Sequence, residues 1–249
     1  MHILSSPHLT VRAPAKLTVS LRLTGVRADG YHLIDAEMVT LELADLLTFA
    51  PGDGLRLSGP FAAGLPVDDS NLVRKALRAV GRGAEVHVVK NIPAQGGLGG
   101  GSADAAAVLR WAECHDLALA TSLGADVPFC LIGGRARVTG IGEVIQPLDI
   151  TARAFTLIVP PVGVSTIAAY KAWDALGSPR SAGQNDLEPA ALAVEPLLGR
   201  WRDRIAEATG QTPTLAGSGS TWFLPGHIDG LAEALPDAVI VQTRTDRPS

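Results

Sequence analysis

"NIPAQGGLGGGSADAAAVLRW", residues 91–111, runs a glycine-dense loop straight into an alanine-rich segment. Gly96, Gly97, Gly99, Gly100 and Gly101 are interrupted only by Leu98. Glycine gives up more backbone freedom on folding than any other residue, so such density implies that bare backbone must approach something closely. Upstream, "AEVHVVK" (84–90) alternates apolar and polar residues as a strand does, and downstream Ala105, Val108, Leu109 and Ala112 share one helical stripe. A strand, a glycine loop and a helix start together make an anion site. The first N–H groups of the helix are unpaired, its dipole is positive there, and glycines let a phosphate come near without Cβ collisions. Ser102 is predicted to cap the helix and to offer its hydroxyl to a phosphate or its metal. No Gly-Lys-Ser/Thr follows at the Walker spacing, and no well-placed acidic residue completes a dinucleotide fingerprint. The competing reading, a flexible linker, is weakened by the helix that begins at once.

Outward from the loop, "LTVSLRLTG" (17–25) and "EMVTLELADLLTF" (37–49) alternate as strands around the Asp-Gly turn of "RADGYH" (27–32). Residues 71–80 place Leu72, Val73, Ala76, Leu77 and Val80 on one helical face, with Ser70 as predicted N-cap. "RARVTGIGEVIQPL" (135–148) reads as a hairpin and "AFTLIVPP" (154–161) as a buried strand. Helices are predicted over 167–176 and 195–208, then a small-residue loop "LAGSGSTWFL" and a last strand "AVIVQTRT". Strands and helices follow each other without a regular βαβ rhythm. The expectation is therefore an α+β chain of two domains, 1–150 and 151–249, not a doubly wound sheet.

With 47% hydrophobic and 18% charged residues over 249 positions, the composition is that of a globular protein with a sizeable core. A net charge of -4 argues against a nucleic-acid or anionic-membrane surface. The start of the chain lacks the charge and apolar pattern of a signal peptide, and no window approaches ~20 apolar residues in a row, so a cytoplasmic protein is expected. Cys114 and Cys130 read as buried thiols, and the histidines show no metal spacing. Lys16, between Ala13, Ala15 and Leu17, is unusual in so apolar a strand, although alone it reads as a surface residue. Asp126, ahead of "VPF", alone reads as a helix cap, and Tyr31 and His32 as exposed hairpin residues.

"PAQGGLGGGSADAA" (93–106) resembles the phosphate loop of the GHMP kinases, a superfamily of small-molecule kinases. "APAKLTVSLRLTGVRADGYH", "LGADVPF", "ARVTGIGE", "QNDLEPAA" and "LAGSGSTWF" follow the order found in its branch acting on a cytidine-diphosphate-linked methylerythritol. The resemblance spans nearly the whole chain. It implies a two-domain GHMP-kinase-like fold with the active site in the interdomain cleft. It also implies transfer of phosphate from ATP to the 2-hydroxyl of that acceptor, a step of the non-mevalonate route to isoprenoids. By position, Lys16 and Asp126 match the catalytic pair. Pro93, Ala94, Gln95, Gly96, Gly97, Leu98, Gly99, Gly100, Gly101, Ser102 and Ala103 match the ATP loop. Thr18, Tyr31, His32, Thr166 and Tyr170 match substrate-binding positions, and Gly217, Ser218, Gly219 and Ser220 match the third glycine motif.

A carboxylate such as Asp126 suits the chemistry, since it can orient a weakly acidic hydroxyl and take its proton late. Lys16 would offset charge on the transferred group. An aromatic ring beside an imidazole, as in Tyr31–His32, suits a pyrimidine. Mg²⁺ is expected with ATP, although no carboxylate cluster announces it and no residue is assigned as its ligand. The partners implied are ATP and the cytidine-diphosphate-linked polyol, with the chain a monomer or weak homodimer. Three departures from the family pattern stand out: Thr18 replaces an Asn, Ala103 replaces a second Ser, and "WAECHDLALATSLG" leaves little room for the helix that precedes "GADVP" in the family. Two alternatives remain, namely a GHMP kinase with a sugar, homoserine or mevalonate-type acceptor, and a nucleotide-binding module that no longer transfers phosphate.

Overall fold

The computed structural model describes residues 9–247; the N-terminal stretch read above, with His2 and His8, lies outside them. The alternating opening of the chain becomes two long strands, β1 (Leu9–Val26) and β2 (His32–Ala50), paired antiparallel from Leu9 opposite Phe49 to Val26 opposite His32. β3 (Gly54–Ser58) leads to α1 (Leu72–Ala79), and β4 (Glu85–Val89) leads through the glycine loop to α2 (Gly100–Trp111). Two short helices, α3 (Leu117–Leu123) and α4 (Val127–Ile132), precede the hairpin β5 (Arg135–Gly140) and β6 (Val144–Leu148). One edge of β2 is covered by β1, while the other is divided, Leu46–Ala50 pairing with β4 and Ile34–Val39 with β5. The six strands follow the order β3-β4-β2-β5-β6 with β1 beside β2.

A second sheet is built from β7 (Ala154–Val159), β8 (Thr214–Leu215), β9 (Trp222–Pro225) and β10 (Val239–Arg244), in the order β10-β7-β9-β8. Its helices are α5 (Thr166–Ala175), α6 (Glu188–Val194), α7 (Leu197–Thr209) and α8 (Leu231–Ala234). Phe155, Leu157 and Phe223 of this sheet join the same buried cluster as Leu17, Leu41 and the α2 residues Ala105 to Leu109. Ala105, Ala106 and Ala107 are fully buried, which lets α2 lie close against the first sheet; larger residues would overpack it, typically at about 1–3 kcal/mol.

Three local expectations are corrected. The cap of α1 is Asn71, whose side chain accepts from the Val73 amide at 2.9 Å, because the Ser70 hydroxyl is occupied by Asp68 at 2.6 Å. α2 begins earlier than Ser102, with Gly99 in the left-handed conformation as its cap and no side-chain bond there. The shortened stretch before "GADVP" does hold a helix, α3, capped by Asp116. Cys130 is buried and its thiol is pushed up to about 12 by burial; Cys114 is half-buried.

The outer edge of β1 is not left open, as an exposed strand edge would be a liability. The Lys16 amide donates to Leu98 O at 3.0 Å, so the glycine loop covers that point. Further along, the Leu21 amide donates to Gln184 O at 2.8 Å and Leu21 O accepts from the Asp186 amide at 2.9 Å. One strand thus ties together the glycine loop and a connection belonging to the second sheet.

Candidate active site

A cleft of about 570 Å³ opens along this junction. Its walls include Lys16 and Thr18 of β1, the loop Pro93 to Ser102, Asp126, Thr166 and Tyr170 of α5, and Gly217 and Ser218. Residues 16 and 18 share a strand face because side chains alternate. The Lys16 ammonium, almost wholly buried, donates to Thr18 Oγ1 at 3.1 Å and lies 3.2 Å from Asp126 Oδ2. Asp126 stands at the start of α4 without making a side-chain cap bond, so its carboxylate is free for the cleft. An ammonium carries three donors, and two are accounted for by Thr18 and Asp126. The departure at Thr18 has a use here, since the hydroxyl holds the lysine head.

The glycine loop is shaped by close approaches. At Gly97, with φ +73°, a Cβ would stand 2.3 Å from Ala216 O and 3.0 Å from Gly219 O; at Gly99, with φ +70°, it would meet the Lys16 stem at 2.8 Å. Both positions demand glycine for conformation and for space. The N–H groups of Gly97 to Gly101 are not paired with protein oxygens among the described residues, which leaves them for an anion. Gly97→Ala is expected to push the two glycine loops apart. Left-handed strain and the backbone clash together should cost about 2–4 kcal/mol in denaturant unfolding and weaken nucleoside triphosphate binding at least about tenfold. Wild-type affinity in titration calorimetry would sink that account.

The other predicted residues divide. Thr166 Oγ1 lies 2.9 Å from Ser218 Oγ, joining α5 to the third glycine loop. His32 packs on Tyr170, with ring centroids 4.8 Å apart, and on Trp173 at 5.6 Å, while its Nε2 is 2.8 Å from Asp174 Oδ1. The Tyr170 phenol is pushed up to about 12 by loss of solvent and then by the charge of Asp126. Tyr31 stands apart from these rings, 59% exposed and under the Arg27 guanidinium at 5.7 Å. Ala103 faces the core and Ser220 is buried, whereas Ser102 lines the cleft. Sequence reading missed Asp174, 142 residues from its histidine, and the buried Asp45, Lys90 and Asp104 behind the loop. The signal for the last group was a lysine closing an apolar strand and an aspartate inside an alanine run.

That buried group ties β2, β4 and α2 together. Lys90 Nζ bonds Asp45 Oδ2 and lies 2.5 Å from Asp104 Oδ2, while Asp45 Oδ1 accepts from the amides of Asn91 and Ile92 at 2.5 and 2.8 Å. Asp104 Oδ1 has no hydrogen-bond partner among the described residues. Burial, with the Asp45 charge beside it, raises Asp104 to about 7 despite Lys90; the Lys90 ammonium itself is held above its usual range by the two carboxylates, against the cost of burial.

The GHMP kinases N terminal domain family matches residues 71–134. A 4-diphosphocytidyl-2-C-methyl-D-erythritol kinase of Paracoccus denitrificans is 39% identical over 247 residues, covering 91% of this chain and 89% of that protein. The protein of the same name from Mesorhizobium japonicum is 38% identical, covering 86% of this chain and 85% of its own length. A crystal structure of 4-(cytidine 5'-diphospho)-2C-methyl-D-erythritol kinase superposes with a TM-score of 0.73 and 32% identity, covering 96% of this chain and all of that one. The Methanococcus jannaschii mevalonate kinase, TM-score 0.62 at 13% identity, shares the fold alone.

Proposed function

The chain belongs to the 4-diphosphocytidyl-2-C-methyl-D-erythritol kinase family within the GHMP kinases, and from that premise we propose how its own residues carry out the transfer of phosphate from ATP to the 2-hydroxyl of that acceptor, a step toward isoprenoid precursors. The enzyme is an ATP-dependent kinase with a small-molecule acceptor. Lys16 and Asp126 are the catalytic pair. Pro93 to Ser102 hold the ATP phosphates, with Gly217 and Ser218 closing over them. The acceptor's nucleoside lies toward His32, Tyr170 and Thr166, and a division near residue 150 leaves the cleft between two domains. The observation that supports this reading most is the Lys16–Asp126 pair, 3.2 Å apart and facing the unpaired amides of the glycine loop.

In phosphoryl transfer there is little covalent work for the protein, so positioning and charge stabilisation carry the rate. Asp126 orients the acceptor hydroxyl and takes its proton as the O–P bond forms. Lys16 keeps two donors on Thr18 and Asp126 and directs its third at the transferred group. The hard oxygen donors at the cleft, the Ser102 hydroxyl with the ATP phosphates, fit Mg²⁺, which keeps several waters and needs few protein ligands; bound there it would neutralise phosphate charge.

Asp174 holds His32 at 2.8 Å and, on this reading, fixes the imidazole proposed to read the base. With Mg-ATP, turnover is expected with the cytidine-diphosphate-linked methylerythritol and not with free methylerythritol, galactose, homoserine or mevalonate, as followed by ADP release. Equal turnover of free methylerythritol would remove the base-reading role of His32. No turnover at all by protein that binds ATP would make this a binding module.

A further inference from the structure

The motif "QNDLEPAA" (184–191) has no part in the chemistry above, yet it supplies two of the most buried polar residues in the molecule, Asn185 at 1% and Asp186 at 0% exposure. A buried polar group is tolerated when its bonds are satisfied, so where those bonds go is informative. Asp186 anchors the segment. Its Oδ1 accepts from Arg22 Nη1 at 2.9 Å and from the Ser181 amide at 3.0 Å, and its Oδ2 from the Leu23 amide at 3.0 Å and Arg180 Nη1 at 2.9 Å. Backbone pairing at Leu21 completes the attachment to β1, the strand that carries Lys16.

Asn185 reaches the other way. Its Nδ2 donates to Leu215 O at 2.9 Å and to Gly217 O at 2.6 Å, using both N–H bonds, and its Oδ1 accepts from the Leu187 amide at 2.9 Å. Gly217 faces the catalytic lysine: a Cβ there would stand 3.8 Å from Lys16 Nζ and 3.7 Å from Thr18 Oγ1. In a planar trans peptide the C=O and the next N–H point in opposite directions. Fixing Gly217 O on Asn185 therefore turns the Ser218 N–H away from Asn185, and Ser218 lines the cleft. That N–H has no protein partner among the described residues. Only an amide does this at position 185, because a carboxylate would set two acceptors against two carbonyls.

We propose that Asn185 is a positioning residue for phosphoryl transfer, setting the Gly217–Ser218 peptide opposite Lys16 so that the ATP phosphates meet a prearranged donor. It rests on the reading that this loop faces the phosphates. The role is separate from holding the segment in place, which Asp186 and its arginines do.

The test compares steady-state kinetics and ADP affinity of Asn185→Ala with those of Arg180→Ala, which removes an outer anchor and leaves the amide untouched. For Asn185→Ala, kcat/KM for ATP is expected to fall about 10- to 100-fold while the acceptor KM stays within about threefold; Arg180→Ala, at a largely exposed residue, should leave the ATP parameters within about threefold with a smaller loss of Tm. Unchanged ATP kinetics in folded Asn185→Ala would overturn the proposal, as would a matching loss in Arg180→Ala. Should Asn185→Ala not fold, Asn185→Gln displaces the amide by a methylene, and wild-type ATP kinetics in it would overturn the proposal equally. Failure of the underlying reading looks different: Gly97→Ala would then leave ATP affinity unchanged, whatever Asn185 does.

Discussion

Asp126→Asn is expected to lower kcat by about 10²–10⁴, the range attributed to a positioned general base, while the KM for ATP moves by no more than a few-fold. The asparagine keeps the size of the side chain and a hydrogen-bonding oxygen for the acceptor, so ground-state orientation largely survives. What is lost is an acceptor for the proton of an alcohol whose acidity is low until its bond to phosphorus is well advanced. Lys16 keeps its bond to Thr18 at 3.1 Å and its backbone tie to Leu98, so it does not swing out of the cleft when the ion pair goes. Lys16→Met should be more damaging to kcat/KM for ATP than to acceptor binding, since it removes the charge opposite the transferred group. The separation of the two effects is the point of the measurement. If Asp126→Asn retained more than about a tenth of kcat, the carboxylate would be structural and the base would have to be sought elsewhere.

The strand, loop and helix that form one wall of the cleft were readable because they are written in consecutive residues. The strand, glycine run and alanine stripe of 84–112 announce a strand-loop-helix unit, whereas Lys16 among Ala13, Ala15 and Leu17, which alone reads as a surface residue, is almost wholly buried. What could not be read was the start of the helix. A serine after glycines looks like a cap, but the left-handed Gly99 begins α2 sooner and turns Ala103 into the core, which gives the substituted serine position a packing reason. The short helices α3, α4, α6 and α8 have four to seven residues each and too few turns for a periodic stripe to stand out. Pairings over long separations were equally hidden. His32 with Asp174 joins the territories of the two sheets, Asn185 with Gly217 joins two loops 32 residues apart, and no periodicity carries that information.

The largest stability loss should come from Lys90→Met. The ammonium is 4% exposed and lies between Asp45 and Asp104, which are 0% and 5% exposed. Removing one partner of a buried ionic group typically costs about 3–5 kcal/mol, because it strands charge in a medium that cannot solvate it. Against a total of about 5–15 kcal/mol for a typical domain, that is a large part of the whole. The pH dependence gives the test its sign. Asp104 sits at about 7 in the folded protein, against about 3.9 in an unfolded chain, so between those values the folded state holds a proton that the unfolded state has released. Stability associated with Asp104 is therefore present at low pH and lost as pH rises through 7. The wild-type urea midpoint should be higher at pH 5.5 than at pH 8, and Asp104→Asn should flatten that slope. Lys90→Met should suffer more at pH 8, where Asp104 has lost its proton, and Lys90→Met/Asp104→Asn should recover part of the loss by removing that charge. A single Lys90→Met variant within about 1 kcal/mol of wild type at pH 8, with unchanged m-value, would mean that its loss strands no charge there. The consequence reaches the site, because Asp45 also holds the amides of Asn91 and Ile92 where the chain enters the glycine loop. A protein that survives Lys90→Met should thus bind ATP more weakly in proportion to how far that entry has loosened.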